Sequence, residues 1–350
     1  MGGYFMEFNA LPSTHTPYGI RNGKGPRHLI GGMVASTYAT GAETDGAFCL
    51  HMLTGGKGAG LPVIRHGEAF TSLYVMEGAV ELTIGSDSFA LIAGDTASIP
   101  PGTDYGFRMT RHRTVTMIFQ TGGTAGRLFA ATGAPYEGFI QPATDPGKAS
   151  DLAGHAAPPG TDTEIVGPLP DAPELLLPGK VLPDSAAPYV IESGEGERLV
   201  VADQIFTFAG RNPQTDGRFL TLFNEGPQGD MIPPHKHLRH DEMFLCLDGT
   251  IRMKAGDEIL ELNPGDWLFV PRGTPHAFQF TTPYCRTLGW LIPGIFEDFF
   301  FTLGDPYEGH VYPQEPGPFR FDRVIAKLDE LDIVPLGGPP GAPPKDGTAT

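Results

Sequence analysis

Shifted against itself by 171 residues (Gly249 over Gly78, 249 − 78 = 171), this 350-residue chain falls into register without a gap. Pro17-Tyr18 meets Pro188-Tyr189; Gly23, Gly25 and Arg27 meet Gly194, Gly196 and Arg198; Thr44-Asp45-Gly46 meets Thr215-Asp216-Gly217. The register survives to the far end, where Gly94, Pro100 and Gly102 meet Gly265, Pro271 and Gly273, and Pro135–Gly138 meets Pro306–Gly309. A repeat of this length is two copies of one domain, and 40% apolar residues suffice for two cores of ordinary size. Short β-prone runs recur, SLYVME and VELTIG in the first copy, MFLCLD, DWLFV and AFQF in the second, with turn residues between them. Long amphipathic helices are scarce, so the pattern predicts an all-β chain of two small barrels. The copies are expected at 1–142 and 187–323, joined by a Pro-, Gly-, Ala- and Asp-rich linker over 143–186 in which PELLL makes a short helical turn. The closing segment, 324–350, is expected to form a short helix over AKLDELDIV and then a mobile tail.

The second copy carries a set of metal-ligand candidates. His235 and His237 are two residues apart, so on a strand both side chains leave the same face and converge inside a barrel. Glu242 follows five residues on, and His276 comes from a later segment. Gly249 and Gly265 allow positive φ at strand ends, and Pro271-Arg272-Gly273 makes a tight loop before His276. Three imidazoles and one carboxylate suit one divalent first-row ion (iron, manganese, cobalt, nickel or copper) better than magnesium or calcium, and four protein ligands leave positions open for chemistry. The set does not choose among those metals. His240 is read as a solvated residue or one that supports the ligands from outside. Strand parity puts Phe244 and Cys246 on the inward face of Glu242, and Phe278 and Phe280 on that of His276. Phe244 and Phe278 are the candidates for a substrate pocket, while Phe296, Phe299, Phe300 and Phe301 read as an aromatic cluster that seals the barrel or caps that pocket.

In the first copy the same register places Ile64, His66, Thr71 and Tyr105 in the four ligand columns. A lone imidazole does not hold a divalent ion against water, so this N-terminal site is expected to be degenerate, with Ile64 and Tyr105 filling the vacated space. The first domain is then structural or shapes access, and the second does the chemistry.

The motifs G-x5-HxH-x4-E-x6-G over 229–249 and G-x5-P-x-G-x2-H over 265–276 resemble those of the cupin superfamily. Together with PYVIESGEGERLV from 188, NEGPQGD before His235 and PGIFEDFFFTLGDPYEGHVYP over 293–313, they make the chain similar to a bicupin of the quercetinase (quercetin 2,3-dioxygenase) family over nearly its whole length. The resemblance implies two tandem cupin (jelly-roll) barrels. It also implies a metal-dependent dioxygenase that opens the central ring of a flavonol such as quercetin with dioxygen, releasing carbon monoxide and a phenolic ester (depside). Carried onto this sequence, it makes His235, His237 and His276 the imidazole ligands, with Glu242 as both carboxylate ligand and base. Some members carry ligands in both cupins, whereas this chain keeps one set, so a single centre is expected. The same site on another enolisable aromatic, such as a polyketide or quinone, is the alternative.

Other readings fit less well. An oxalate-type decarboxylase shares the ligand set but needs Arg in its pocket, for which Arg239 and Arg272 are the candidates. Glu242 counts against a gentisate-type site of three His. A non-catalytic ligand-binding bicupin is disfavoured because one ligand set is complete. The formal charge of −17, without a basic run, opposes binding to nucleic acid or an anionic membrane. Cys49, Cys246 and Cys285 are too few and scattered for a disulfide framework. With no signal-peptide pattern or membrane-length apolar run, the sequence reads as a soluble, cytoplasmic protein. Its expected partners are a small aromatic substrate and dioxygen, with a homodimer left open.

Overall fold

The computed structural model describes residues 10–142, 147–154, 156 and 158–336; the expected tail beyond 336 lies outside them. The described helices are short: Arg127–Thr132, Asn212–Thr215, Glu297–Leu303 and Phe321–Ile325, with a 3-10 turn at Ala149–Leu152. Everything else that is regular is strand. Two tandem cupin jelly-roll barrels result, each an eight-stranded sheet facing a smaller one, of six strands in the first half and five in the second.

The eight-stranded sheets are buried on both faces, because they also pack against each other. Along Thr114–Thr121, Val115, Met117 and Phe119 point to the core shared between the barrels, while Ile118 points into the first barrel. This is why the run TVTMIFQT has no exposed face: even Thr114, Thr116 and Gln120, which share the side of Ile118, are buried. The shared core joins Phe48, Phe70 and Phe119 of the first half to Phe219, Phe269 and Trp290 of the second. Phe119 stacks on Trp290 at 5.5 Å, and Phe48 meets Phe269 edge-on at 5.6 Å. Such pairs add to the gain from burial alone.

The first strand of each copy serves the other barrel. Tyr18–Ile20 pairs antiparallel with Trp267–Val270, and Tyr189–Ile191 pairs antiparallel with Thr96–Ile99. The loops that follow dock symmetrically: the Asn22 backbone N–H donates to Asp266 at 2.9 Å, and that of Ser193 to Asp95 at 2.9 Å. Both contacts need a glycine beside the aspartate. Gly94 and Gly265 have φ of 101° and 88°, and a Cβ there would lie 2.1 Å from the Ser193 hydroxyl and 2.3 Å from the Asn22 side chain.

Two expectations are corrected. PELLL is not a helical turn: Leu175–Leu176 is a short strand paired in parallel with Ser88 and Phe89, and Glu164–Gly167 adds to the sheet at Gly60–Arg65. Pro173 and Pro178 bracket too few residues to nucleate a helix, the residue before a proline avoids αR, and an open sheet edge lies alongside. AKLDELDIV is not a terminal helix either. Helix Phe321–Ile325 ends before it, the chain turns, and Val334–Pro335 joins the sheet beside His235–Lys236. Burial of Asp332 and Ile333 against the second barrel outweighs the helical pattern.

Candidate metal centre

His235 and His276 face each other across an antiparallel pair, His235–Lys236 against His276–Phe280, which brings their ring centroids to 4.4 Å. His237 leaves the same face, 5.0 Å from His235 and 5.1 Å from His276. Glu242 enters from Asp241–Asp248 in the facing sheet, with Oε2 3.0 Å from His276 Nε2 and Oε1 3.5 Å from His237 Nε2. The four side chains singled out from spacing therefore converge on one point.

Hydrogen bonds on the outer ring nitrogens orient the imidazoles. His235 Nδ1 donates to the Pro233 carbonyl at 2.9 Å, His237 Nδ1 to the Asp332 carbonyl at 2.6 Å, and His276 Nδ1 to the Thr274 carbonyl at 3.0 Å. A carbonyl only accepts, so each neutral ring carries its proton on Nδ1 and turns the Nε2 lone pair inward. The buried Nε2 atoms of His237 and His276 have no hydrogen-bond partner. Inward lone pairs backed by outer hydrogen bonds are what a metal site requires, and the donor atoms of His235, His237 and His276 lie within 4.8 Å of one another. The residues fit a divalent transition ion.

His240 corrects the solvated alternative. It is 1% exposed, with Nδ1 2.7 Å from the Asp332 carboxylate and Nε2 3.5 Å from Glu242 Oε1. Its parity with Glu242, two residues away, was the available signal. With His237 and Glu242 it forms a second group that could hold an ion. Nothing in the sequence pointed to Asp332. Phe296 stacks on His240 at 4.5 Å and meets His237 edge-on at 4.4 Å, so the aromatic cluster reaches the centre itself.

Burial sets the electrostatics. It lowers the His235 imidazole to about 4, with His276 adding to the effect, and lowers His237 to about 3. Burial opposes the charge on Glu242, yet His237, His240 and His276 together hold its carboxyl well below the usual range. Burial likewise opposes the charge on His240, but Asp332 and Glu242 raise it above its ordinary value. The unfolded chain takes up protons on His235 and His237 near 6.5, whereas the folded, metal-free chain resists them down to about 4 and about 3. Their contribution to stability is therefore full above pH 6.5 and is lost as pH falls toward those values. The metal-free protein should show a Tm that drops steadily between pH 6.5 and 4; a flat Tm over that window would refute this.

Behind Glu242 and His276 lies a cavity of about 410 Å³, walled by Phe206, Phe244, Phe278, Phe296 and Phe299 among others. Phe244 and Phe278 both line it, the former with its ring 6.3 Å from that of His276. Among the described residues no arginine lines it. Arg272 instead pairs with Asp241 and Asp45, and Arg239 lies at the surface beside Asp332.

The corresponding place in the first barrel is closed by protein groups. His66 Nε2 lies 2.9 Å from the Tyr105 hydroxyl and 2.7 Å from Gln120 Nε2, and Thr71 reaches the same hydroxyl at 3.3 Å. Ile64 packs into the barrel core. Burial pushes Tyr105 up and His66 down, so both stay neutral. Among the described residues, no group that could hold a metal occurs there.

The cupin-domain family model matches residues 51–120 and 222–284, one stretch per barrel. Quercetin 2,3-dioxygenase of Bacillus subtilis is 38% identical over 326 residues, which covers 93% of this chain and 97% of that protein. The chain belongs to the quercetin 2,3-dioxygenase family. It is thus a cupin dioxygenase. A second member, quercetin 2,3-dioxygenase of Aspergillus japonicus, is 34% identical over 130 residues, 35% of this chain and 37% of its own. Among solved structures, the oxalate decarboxylase of Lactobacillus farciminis shares the two-barrel fold, with a TM-score of 0.54 at 13% identity over 81% of this chain and 87% of its own. That likeness concerns the fold alone. Among the described residues no helix is long and apolar enough to cross a membrane.

Proposed function

We propose that this dioxygenase opens the central ring of a flavonol of the quercetin type with dioxygen, at one metal centre held by His235, His237, Glu242 and His276, while the first barrel is structural. The observation that carries the reading is the cavity, which joins an aromatic chamber to three of these groups, His235, Glu242 and His276, and among the described residues has no arginine to meet a small dicarboxylate. The acidic side chains along it, Asp203, Asp230 and Glu242, also disfavour an anionic acid. A flat phenol suits it better. The Asn224 side-chain oxygen, buried without a partner in the cavity wall, can accept a hydrogen bond from a ring hydroxyl.

A divalent ion at this centre would supply Lewis acidity toward the enol and ketone oxygens of the flavonol. The chain's own groups do the rest. Glu242 accepts the proton of the enol hydroxyl, which makes the ring electron-rich enough to meet dioxygen. Phe244 and Phe278 hold the ring plane and exclude water. One ring carbon leaves with its oxygen as carbon monoxide and both atoms of dioxygen remain in the depside, so the balance needs no added reductant.

The test is anaerobic addition of quercetin to metal-assayed protein, followed by oxygen, with flavonol absorbance and carbon monoxide both recorded. Loss of the flavonol band with release of carbon monoxide, abolished in His276→Ala, is the expected result. A perturbed flavonol spectrum without oxygen-dependent turnover would transfer the reading to another enolisable aromatic, such as a polyketide or quinone.

A further inference from the structure

We propose that Asp332, on the segment that follows the second barrel, is a positioning residue of the metal centre: it fixes two imidazoles and the loop between them from the side away from the metal. The inference rests on the reading that His235, His237, Glu242 and His276 hold a divalent ion.

Four donors converge on this one residue. Its carbonyl accepts from His237 Nδ1 at 2.6 Å, and its carboxylate accepts the backbone N–H groups of Leu238 at 3.0 Å and Arg239 at 2.9 Å and His240 Nδ1 at 2.7 Å. The residue is buried. Two residues on, Val334 and Pro335 pair with Lys236 and His235, so the short strand bearing the first ligand has this segment on one side and His276 on the other. The ligand strand is only two residues long and would otherwise be a sheet edge. Without the Asp332 carboxylate the loop 238–240 and the His240 ring lose their acceptors, and the segment whose carbonyl keeps His237 Nε2 facing inward loses the bonds that anchor it. Such outer partners typically change metal affinity by about 10–100-fold when removed.

The first barrel contains the same clamp over a site with no ligand set. Asp162 accepts His66 Nδ1 on its carbonyl, and the N–H groups of Gly67, Glu68 and Ala69 on its carboxylate at 2.8, 3.0 and 2.7 Å. In the repeat register Asp162 corresponds to 333 (162 + 171), one residue from Asp332, while Ala69 corresponds to His240 (69 + 171 = 240). The clamp therefore belongs to the fold. In the second barrel its grip extends to a second imidazole, His240, in the place of a backbone N–H, and lies directly behind the ligands. Asp162 thus provides a control for loop stability without a metal.

The experiment measures the affinity of metal-stripped full-length protein for Co(II), by chelator competition, together with the d–d absorption of the bound ion. Asp332→Asn should weaken Co(II) binding by about 10–100-fold and alter the d–d bands, whereas Asp162→Asn should leave both unchanged. Unchanged affinity and spectrum in Asp332→Asn would overturn the proposal, as would an equal loss in both variants, because the effect would then be one of general stability. If Asp332→Asn does not fold, Asp332→Glu, which keeps the charge but moves the acceptors by one methylene, carries the same expectation. Co(II) binding is read without flavonol. Wild-type protein that binds cobalt but leaves quercetin intact would sink the functional reading alone, and wild-type protein that binds no divalent ion would overturn both.

Discussion

Glu242→Gln should lower oxygen-dependent quercetin turnover by about 10²–10⁴-fold while the protein stays folded and keeps its metal. The substitution is isosteric and leaves His235, His237 and His276 in place, so three imidazoles can still hold an ion. What it removes is the proton acceptor. Glu242 is buried among three imidazoles whose favourable field keeps it ionised. Entry of an aromatic substrate displaces water and pushes the carboxylate the other way, toward a useful base. Glutamine cannot accept that proton at any pH. Metal content, flavonol binding spectra and single-turnover rates separate the three roles, and a Gln variant with near wild-type turnover would remove Glu242 as the base.

Trp290→Ala should cost about 3–5 kcal/mol and lower the Tm on the order of 10 °C, in a single transition that takes both barrels together. Trp290 is fully buried; its ring stacks on Phe119 of the first barrel at an interplanar angle of 5°, and its indole N–H donates to the Ser72 hydroxyl at 3.2 Å. Removing it opens a cavity in the shared core and leaves Ser72 without that donor. The exchanged strands Tyr18–Ile20 and Tyr189–Ile191 make each barrel depend on the other. Calorimetry with two resolved transitions in the wild type, only one of them shifted by Trp290→Ala, would refute this coupling.

Much of this architecture follows from period and parity. Two copies of an all-β barrel are legible because the repeat holds one register over more than a hundred residues, and a strand's period of two puts His235 with His237, Glu242 with Phe244, and His276 with Phe278. The erosion of the first site is legible in the same columns, since Ile64, Thr71 and Tyr105 offer no strong ligand. His240 was within reach of the same rule, but a lone histidine between ligands carries no period of its own.

Tertiary structure alone decided the rest. Asp332 meets His237 across 95 residues, and the strand at Tyr18 meets Trp267 across a whole barrel. Leu175-Leu176 of PELLL and Val334 at the end of AKLDELDIV join neighbouring sheets rather than follow their local tendency, because an unpaired edge offers hydrogen bonds and burial that a helix of five to nine residues cannot match. The sequence by itself determined which residue types repeat and which face they share, since these depend on local backbone geometry. Which segment closes behind the ligands, and which barrel each first strand completes, depend on contacts between distant parts of the chain that leave no periodic trace.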